Sequence, residues 1–219
     1  MGVLTSNISK VVIKSAASME FNLIYRKAIP SGNNPDKQKK HQVREIFHPQ
    51  LKRLWQQFPL IHYKDYLKDI PYKEEFNTYP NPTIDDYSDE FSVIRTVGEF
   101  KFAPLICKGL GLYCEIEIKM LNAGSSKVIN HGDLDNKLKT LFDGLRYPNQ
   151  LQEIPSNFSQ EDEKPFYCLL ENDDLIKKVS VSVDQLLYPE EESDNVDLTL
   201  LHIKVKGETS HLRNKGLIT

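Results

Sequence analysis

No apolar run in the chain approaches the roughly 18 to 20 residues that a membrane span needs, and its start lacks a charged segment followed by a continuous apolar stretch. A protein with no membrane partner, working in the cytoplasm, is the expectation. Cysteine is scarce, with only 3 in 219 residues. Cys107, Cys114 and Cys168 are odd in number, widely separated and free of any Cys-x-x-Cys spacing. That argues against both a disulfide framework and a zinc site, and leaves them as small, reduced, packed residues. A surplus of basic charge is missing too: 28 Lys and Arg stand against 31 Asp and Glu, a formal net charge of -3. Non-specific binding to a polyanion draws on Lys and Arg to neutralise phosphates, so this balance speaks mildly against such a partner. No internal repeat is visible.

What is present is the make-up of an ordinary globular protein, 39% apolar and 27% charged. The length suffices for one well-buried core. We expect a weakly ordered extension over 1–18 and a single domain over 19–219, with insertions at about 35–90 and 147–166. Charge is segregated along the chain: Lys37, Lys39, Lys40, Arg44, Lys52 and Arg53 face the single acid Glu45 in one stretch, while acids gather at 85–90, 161–163 and 190–197. One basic face on an acidic body is compatible with this. The basic stretch reads equally well as a phosphate-contacting surface or as a solvated helix face.

Periodicity sets the elements. Met19, Phe21, Leu23 and Tyr25 alternate with other residues as a strand does, and Pro30-Ser31-Gly32-Asn33-Asn34 ends it. Val43, Ile46, Phe47, Leu51, Leu54, Trp55 and Phe58 trace one helical stripe. Pro49 predicts a kink near His48 or two helical pieces. Residues 71–86 read as a loop. Leu112, Cys114, Ile116, Ile118 and Met120 give the clearest half-buried strand. Leu138, Leu141, Phe142 and Leu145 then switch to helical spacing, predicting a helix over 136–146 that starts near Asp135. Val179, Val181 and Val183, then Leu201, Ile203 and Val205, predict two further strands. The order of elements is α+β.

Asp133 and Asp135 fall at the predicted strand-to-helix junction, and Asp173-Asp174 precedes the valine strand. Carboxylates brought within a few ångströms repel, and a hard, oxygen-liganded ion such as Mg²⁺ is the usual remedy. Lys139 is one helical turn beyond Asp135, on a face other than the leucine face, where an ammonium could stabilise charge building on a phosphoryl transition state. Asp143 continues that face by another turn. Taken alone, these acids are equally explicable as helix caps, an i,i+4 surface pair and a turn. His41, His48 and His131 have no ligand spacing beside a carboxylate and read as surface or packed residues.

Read together, Asp133-Leu134-Asp135-Asn136, Lys139, Phe142-Asp143, Leu145 and the later Asp173-Asp174 resemble the RusA family of Holliday junction resolvases. The Pro30 to Asn34 turn is similar to one near the start of that family, and the resemblance covers about 20–34 and 112–184. It implies a mixed sheet with helices packed on it, here with a helical insertion after the first strand. It also implies a homodimeric endonuclease using Mg²⁺, with Mn²⁺ a substitute, on branched DNA, in recombination and repair. Asp133, Asp135 and Asp174 would bind the metal, Asp173 would be an additional ligand, and Lys139 would be essential. Asn136 would orient the aspartates or cap the helix, and Asp143 would stand behind them or be a solvated or salt-bridged helix residue. The basic stretch has no counterpart in the compact members of that family; on its charge alone, Lys37, Lys39, Lys40, Arg44, Lys52 and Arg53 are the candidates to meet nucleic acid. The alternative keeps this fold as a catalytically inactive module binding nucleic acid or protein.

Overall fold

A computed structural model describes residues 19–31, 36–69, 91–122, 131–160, 164–186, 197–208, 212–214 and 216–218, the side chains of 131–133 and 212 excepted. The expected extension over 1–18, the 32–34 part of the first turn and the loop over 71–86 lie outside the described residues. Two mixed sheets and two α-helices make up the regular structure among the described residues. The α+β expectation holds at that level.

The larger sheet has the order β1 (Met19–Tyr25), β7 (Leu198–Gly207), β4 (Leu112–Asn122), β6 (Ile176–Gln185). β7 runs antiparallel to both β1 and β4, and β6 runs parallel to β4. In β4 and β7 the predicted alternation becomes geometry: Ile116, Ile118, Leu201, Ile203 and Val205 are buried, while Glu117, His202 and Lys204 face outward. A smaller sheet, β2 (Arg95–Val97), β3 (Phe100–Ile106) and β5 (Phe166–Leu170), was not anticipated. β3 lies between an antiparallel and a parallel neighbour, and its last five residues are all buried. A strand buried on both faces carries no period-two signal, and Pro104 within it looks like a breaker.

Helix α1 (Lys37–Leu54) is capped by Asp36, whose side chain accepts from Lys39 N at 2.9 Å. Of the two outcomes expected at Pro49, two separate helical pieces is overturned: α1 runs as one helix through the proline. The carbonyl that proline leaves without its donor belongs to exposed Glu45, where water can satisfy it, and Gln50 Nε2 supports the next carbonyl, Ile46 O, at 3.0 Å. Although α1 opens the expected insertion over 35–90, its Val43, Phe47 and Leu51, with Trp55 at its C-cap, belong to the main hydrophobic core. The other expected insertion, 147–166, is bound to the small sheet. Ile154 and Phe158 pack with Val97, Phe102 and Phe166. The Gln160 amide exchanges two 2.9 Å hydrogen bonds with the Lys101 backbone, in the manner of a strand neighbour.

All three cysteines are buried and free, and burial pushes each thiol up to about 12. They pack as expected and are unreactive as nucleophiles. No described helix is long and apolar enough to cross a membrane.

Candidate active site

Helix α2 spans His131–Leu145, starting about a turn earlier than the periodicity suggested. Residues 133 and 135 therefore lie inside its first turns, not at a junction before it. Asp side chains favour the positive end of a helix, and this composition extends the helix back from the leucine stripe. Leu141 and Leu145 are fully buried, and Leu134, Leu138 and Phe142 pack partly against the main core. Asp135 and Lys139 are exposed on the polar side. One turn apart, they share a face as the spacing required. Buried Thr140 turns its hydroxyl back to donate to Asn136 O at 2.9 Å, fixing the same turn from within.

The second acidic segment forms a short 3₁₀ turn, Asp173–Leu175, that enters β6. Asn172 Oδ1 caps it by accepting from Asp173 N at 2.8 Å. Asp173 and Asp174 are both exposed. Asp174 Oδ2 is paired with Lys108 Nζ at 2.9 Å, and its carbonyl accepts from Lys177 Nζ at 2.9 Å. Just before it, buried Glu171 takes Arg95 Nε on one oxygen at 2.8 Å and Lys108 N on the other at 2.7 Å. Lys108 thus ties Glu171 through its backbone and Asp174 through its side chain. Sequence reasoning missed both anchors. Glu171 lies two residues before the Asp-Asp pair and was open to notice; Lys108 is 66 positions before Asp174 and no local pattern marks it.

The register sets Ile176 against Cys114, so Asp174 stands near the N-terminal end of the parallel β4–β6 pair. Helix α2 is reached from the opposite end of β4, through residues 123–130, which lie outside the described residues. Among the described residues no group of three or more His, Cys, Asp or Glu could hold a metal ion. Asp133, whose side chain is outside that description, is the member of the expected triad on which this does not bear.

The far end of α2 has a different character. Asp143 pairs with Lys40 at 2.7 Å and lies 3.4 Å from Arg146 Nε. Arg44 is 1% exposed. It donates from Nε to Arg146 O at 2.9 Å and from Nη2 to Asp143 O at 2.8 Å, satisfying carbonyls at the end of the helix. Arg146 continues the network to Glu153 at 2.9 Å. Arg44 is therefore removed from the expected nucleic-acid surface, Lys40 is half-buried against an acid, and Asp143 holds helices together. Of the basic set, Lys37, Lys39 and Arg53 are exposed and Lys52 is half-buried.

His41 and His48 are packed residues, as expected. His48 stacks on Phe166 at 4.1 Å between ring centroids and accepts from Tyr167 N through Nδ1 at 2.8 Å. His41 meets Phe158 edge-on at 4.4 Å. Burial, helped by the Arg44 charge, lowers its pKa to about 4. Glu45, 3.7 Å away and half exposed, is too distant for a hydrogen bond to the ring and does not hold it protonated.

The fold and site define an α+β protein with two mixed sheets and an exposed acid-and-lysine face on a core-anchored helix. No family model, no curated protein and no solved structure matches the chain.

Proposed function

We propose that the protein is a Mg²⁺-dependent endonuclease of RusA-like type, hydrolysing phosphodiester bonds in branched DNA and acting as a homodimer. The observation that carries this reading is the exposure of Asp135 and Lys139, one turn apart, on a helix whose other side is locked into the core. A helix held rigidly by its apolar face can present a carboxylate and an ammonium in fixed geometry, as charge stabilisation in a transition state requires.

Brought together, Asp133, Asp135 and Asp174 would offer a hard oxygen donor set of the kind that Mg²⁺ or Mn²⁺ prefers, with Asp173 next to Asp174. The ion would supply charge neutralisation at the phosphate and an activated water. Lys139 would hold positive charge beside the scissile phosphate. Lys108, already on Asp174, would offer a second cation that moves to the phosphate when the carboxylate turns to a metal. Exposed Lys37, Lys39 and Arg53 would add backbone contacts beyond the site.

A cleavage assay on a synthetic four-way junction with added Mg²⁺ tests the reading. Cutting by the native protein, its loss in Asp135→Asn, and a fall of about 10²-fold in Lys139→Ala are expected. Unchanged cutting by Asp135→Asn sinks the assignment. The ion pair between Asp174 and Lys108 favours a second reading, in which the fold is a non-catalytic nucleic-acid or protein-binding module. Metal-independent junction binding without cleavage is its signature.

A further inference from the structure

The two edges of the larger sheet are finished differently. On β1, Gln50 of α1 donates to Ile24 O at 2.8 Å and accepts from Ile24 N at 2.9 Å, so edge groups there are already satisfied. On β6, the opposite edge, no such cover exists among the described residues. Val179, Val181 and Val183 sit in register with Ile116, Ile118 and Met120 of β4. Those three β4 residues are buried, yet Val179 is 41% and Val183 38% exposed. The strand is irregular at Lys177, but beyond it the run from Val179 to Val183 has three valines on its inward face and no proline, bulge or charge, an edge that proteins in water ordinarily avoid unless it is paired.

The sequence of β6 suits it to pair with itself. About a two-fold axis through Val181, an antiparallel copy brings Val179 opposite the partner's Val183, Ser180 opposite the partner's Ser182, and Lys178 opposite the partner's Asp184. Because the side-chain period is two, this register keeps valines with valines on the inner face and polar residues together on the outer face. By symmetry the Lys–Asp match occurs twice. Asp184 is available for it, since its own-chain partner Lys119 lies 3.8 Å away with both side chains more than half exposed. Sliding the copy by one residue would put valine against serine and lose the charge match.

The geometry points to β6 as the interface of an isologous dimer, joining two four-stranded sheets edge to edge into one continuous sheet. The assignment stands on the edge geometry and the self-complementary register; it supplies an interface for the homodimer of the proposed function and does not rest on the catalytic residues. A C2 arrangement needs one self-complementary patch, and β6 provides it.

Light scattering over a concentration series tests this on the full chain, reading mass against the 25.3 kDa monomer. A particle of twice that mass is expected. Lys178→Asp and Asp184→Lys, which each oppose like charges twice, should weaken association about tenfold or more, and the double exchange should restore it. Val181→Lys, placing two ammonium groups at the axis, should leave a monomer with an unchanged circular dichroism spectrum. A native protein that stays monomeric, a dimer indifferent to all these changes, or a double exchange that fails to recover the loss would each overturn the proposal. None of these residues belongs to the proposed catalytic set, and junction cleavage by the native protein, assayed in parallel, separates the two readings: a monomer that cuts overturns the interface and the homodimer but leaves the nuclease chemistry, and a β6 dimer that does not cut keeps the interface and overturns the nuclease reading.

Discussion

The two ends of helix α2 look alike as sequence and behave differently as structure. Near its start Asp135 has Lys139 four residues on, and near its end Asp143 has Arg146 three residues on, both ordinary helical charge pairs. The end is closed by α1: Lys40 takes the Asp143 carboxylate and buried Arg44 takes the last carbonyls. The start stands open, with Asp135 and Lys139 in solvent. What separates a structural acid from one free for chemistry is thus the neighbour the fold supplies, not the spacing along the helix.

The sharpest way to break this contrast is to unlock the closed end. Arg44→Met removes a buried guanidinium, leaving two helix-end carbonyls without their donor while Glu153 keeps only Arg146. A loss of about 3–5 kcal/mol in unfolding free energy is expected by denaturant titration. Arg44→Lys should recover only part of it, because one ammonium cannot match a planar fork spanning both carbonyls. A small change in Arg44→Met would mean that the end is not locked.

His41, one turn before Glu45 on the same helix, adds a pH dependence to the closed end. Its pKa is near 4 in the fold and about 6.5 in an unfolded chain. The unfolded state binds the proton first, so the contribution of neutral His41 is complete above about pH 6.5 and is lost as pH falls toward 4. The span corresponds to about 3 kcal/mol as an order of magnitude. Unfolding measured across that window should show a shallower slope in His41→Leu than in the native protein; equal slopes would contradict a neutral buried ring.

A smaller effect is expected at Gly144, where α1 and α2 approach closely. An added Cβ there would lie 2.4 Å from Val43 Cγ1 and 3.3 Å from Lys40 O. Gly144→Ala gains helix propensity but forces the helices apart, and a net loss of about 1–2 kcal/mol in thermal or chemical unfolding is expected. A gain in stability would show that the contact yields easily.

Legibility followed the same division. Strands with one wet face, β1, β4 and β7, were readable because alternation is imposed by burial on one side only. β3 and β5 were not, since a strand covered on both faces has no alternation to show. For β6 the alternation found the strand but carried no sign that Val179 and Val183 would stand exposed at an edge, because pattern alone does not say which strand is outermost. Arg44 was placed on a basic surface because a run of Lys and Arg ordinarily marks a solvated face; only α2, about 100 residues later, supplies the carbonyls that draw it in. Asp135 and Lys139 were legible in spacing and face, whereas the Lys108 partner of Asp174 was not, being a product of tertiary contact.

The mildest change at the open end carries the most information. Asp135→Asn replaces an exposed carboxylate by its isostere on a helix anchored elsewhere, so stability should stay within about 0.5 kcal/mol of the native protein. If Asp135 is free for chemistry, that near-silent change in unfolding must accompany loss of metal-dependent junction cleavage. A destabilisation comparable to that of Arg44→Met would place Asp135 in a structural network like that of Asp143 and erase the distinction between the two ends. Retained stability with retained cutting would keep the distinction and remove Asp135 from the catalytic set. Paired measurement of unfolding and cleavage on this one variant therefore separates the architecture of α2 from the activity proposed for it.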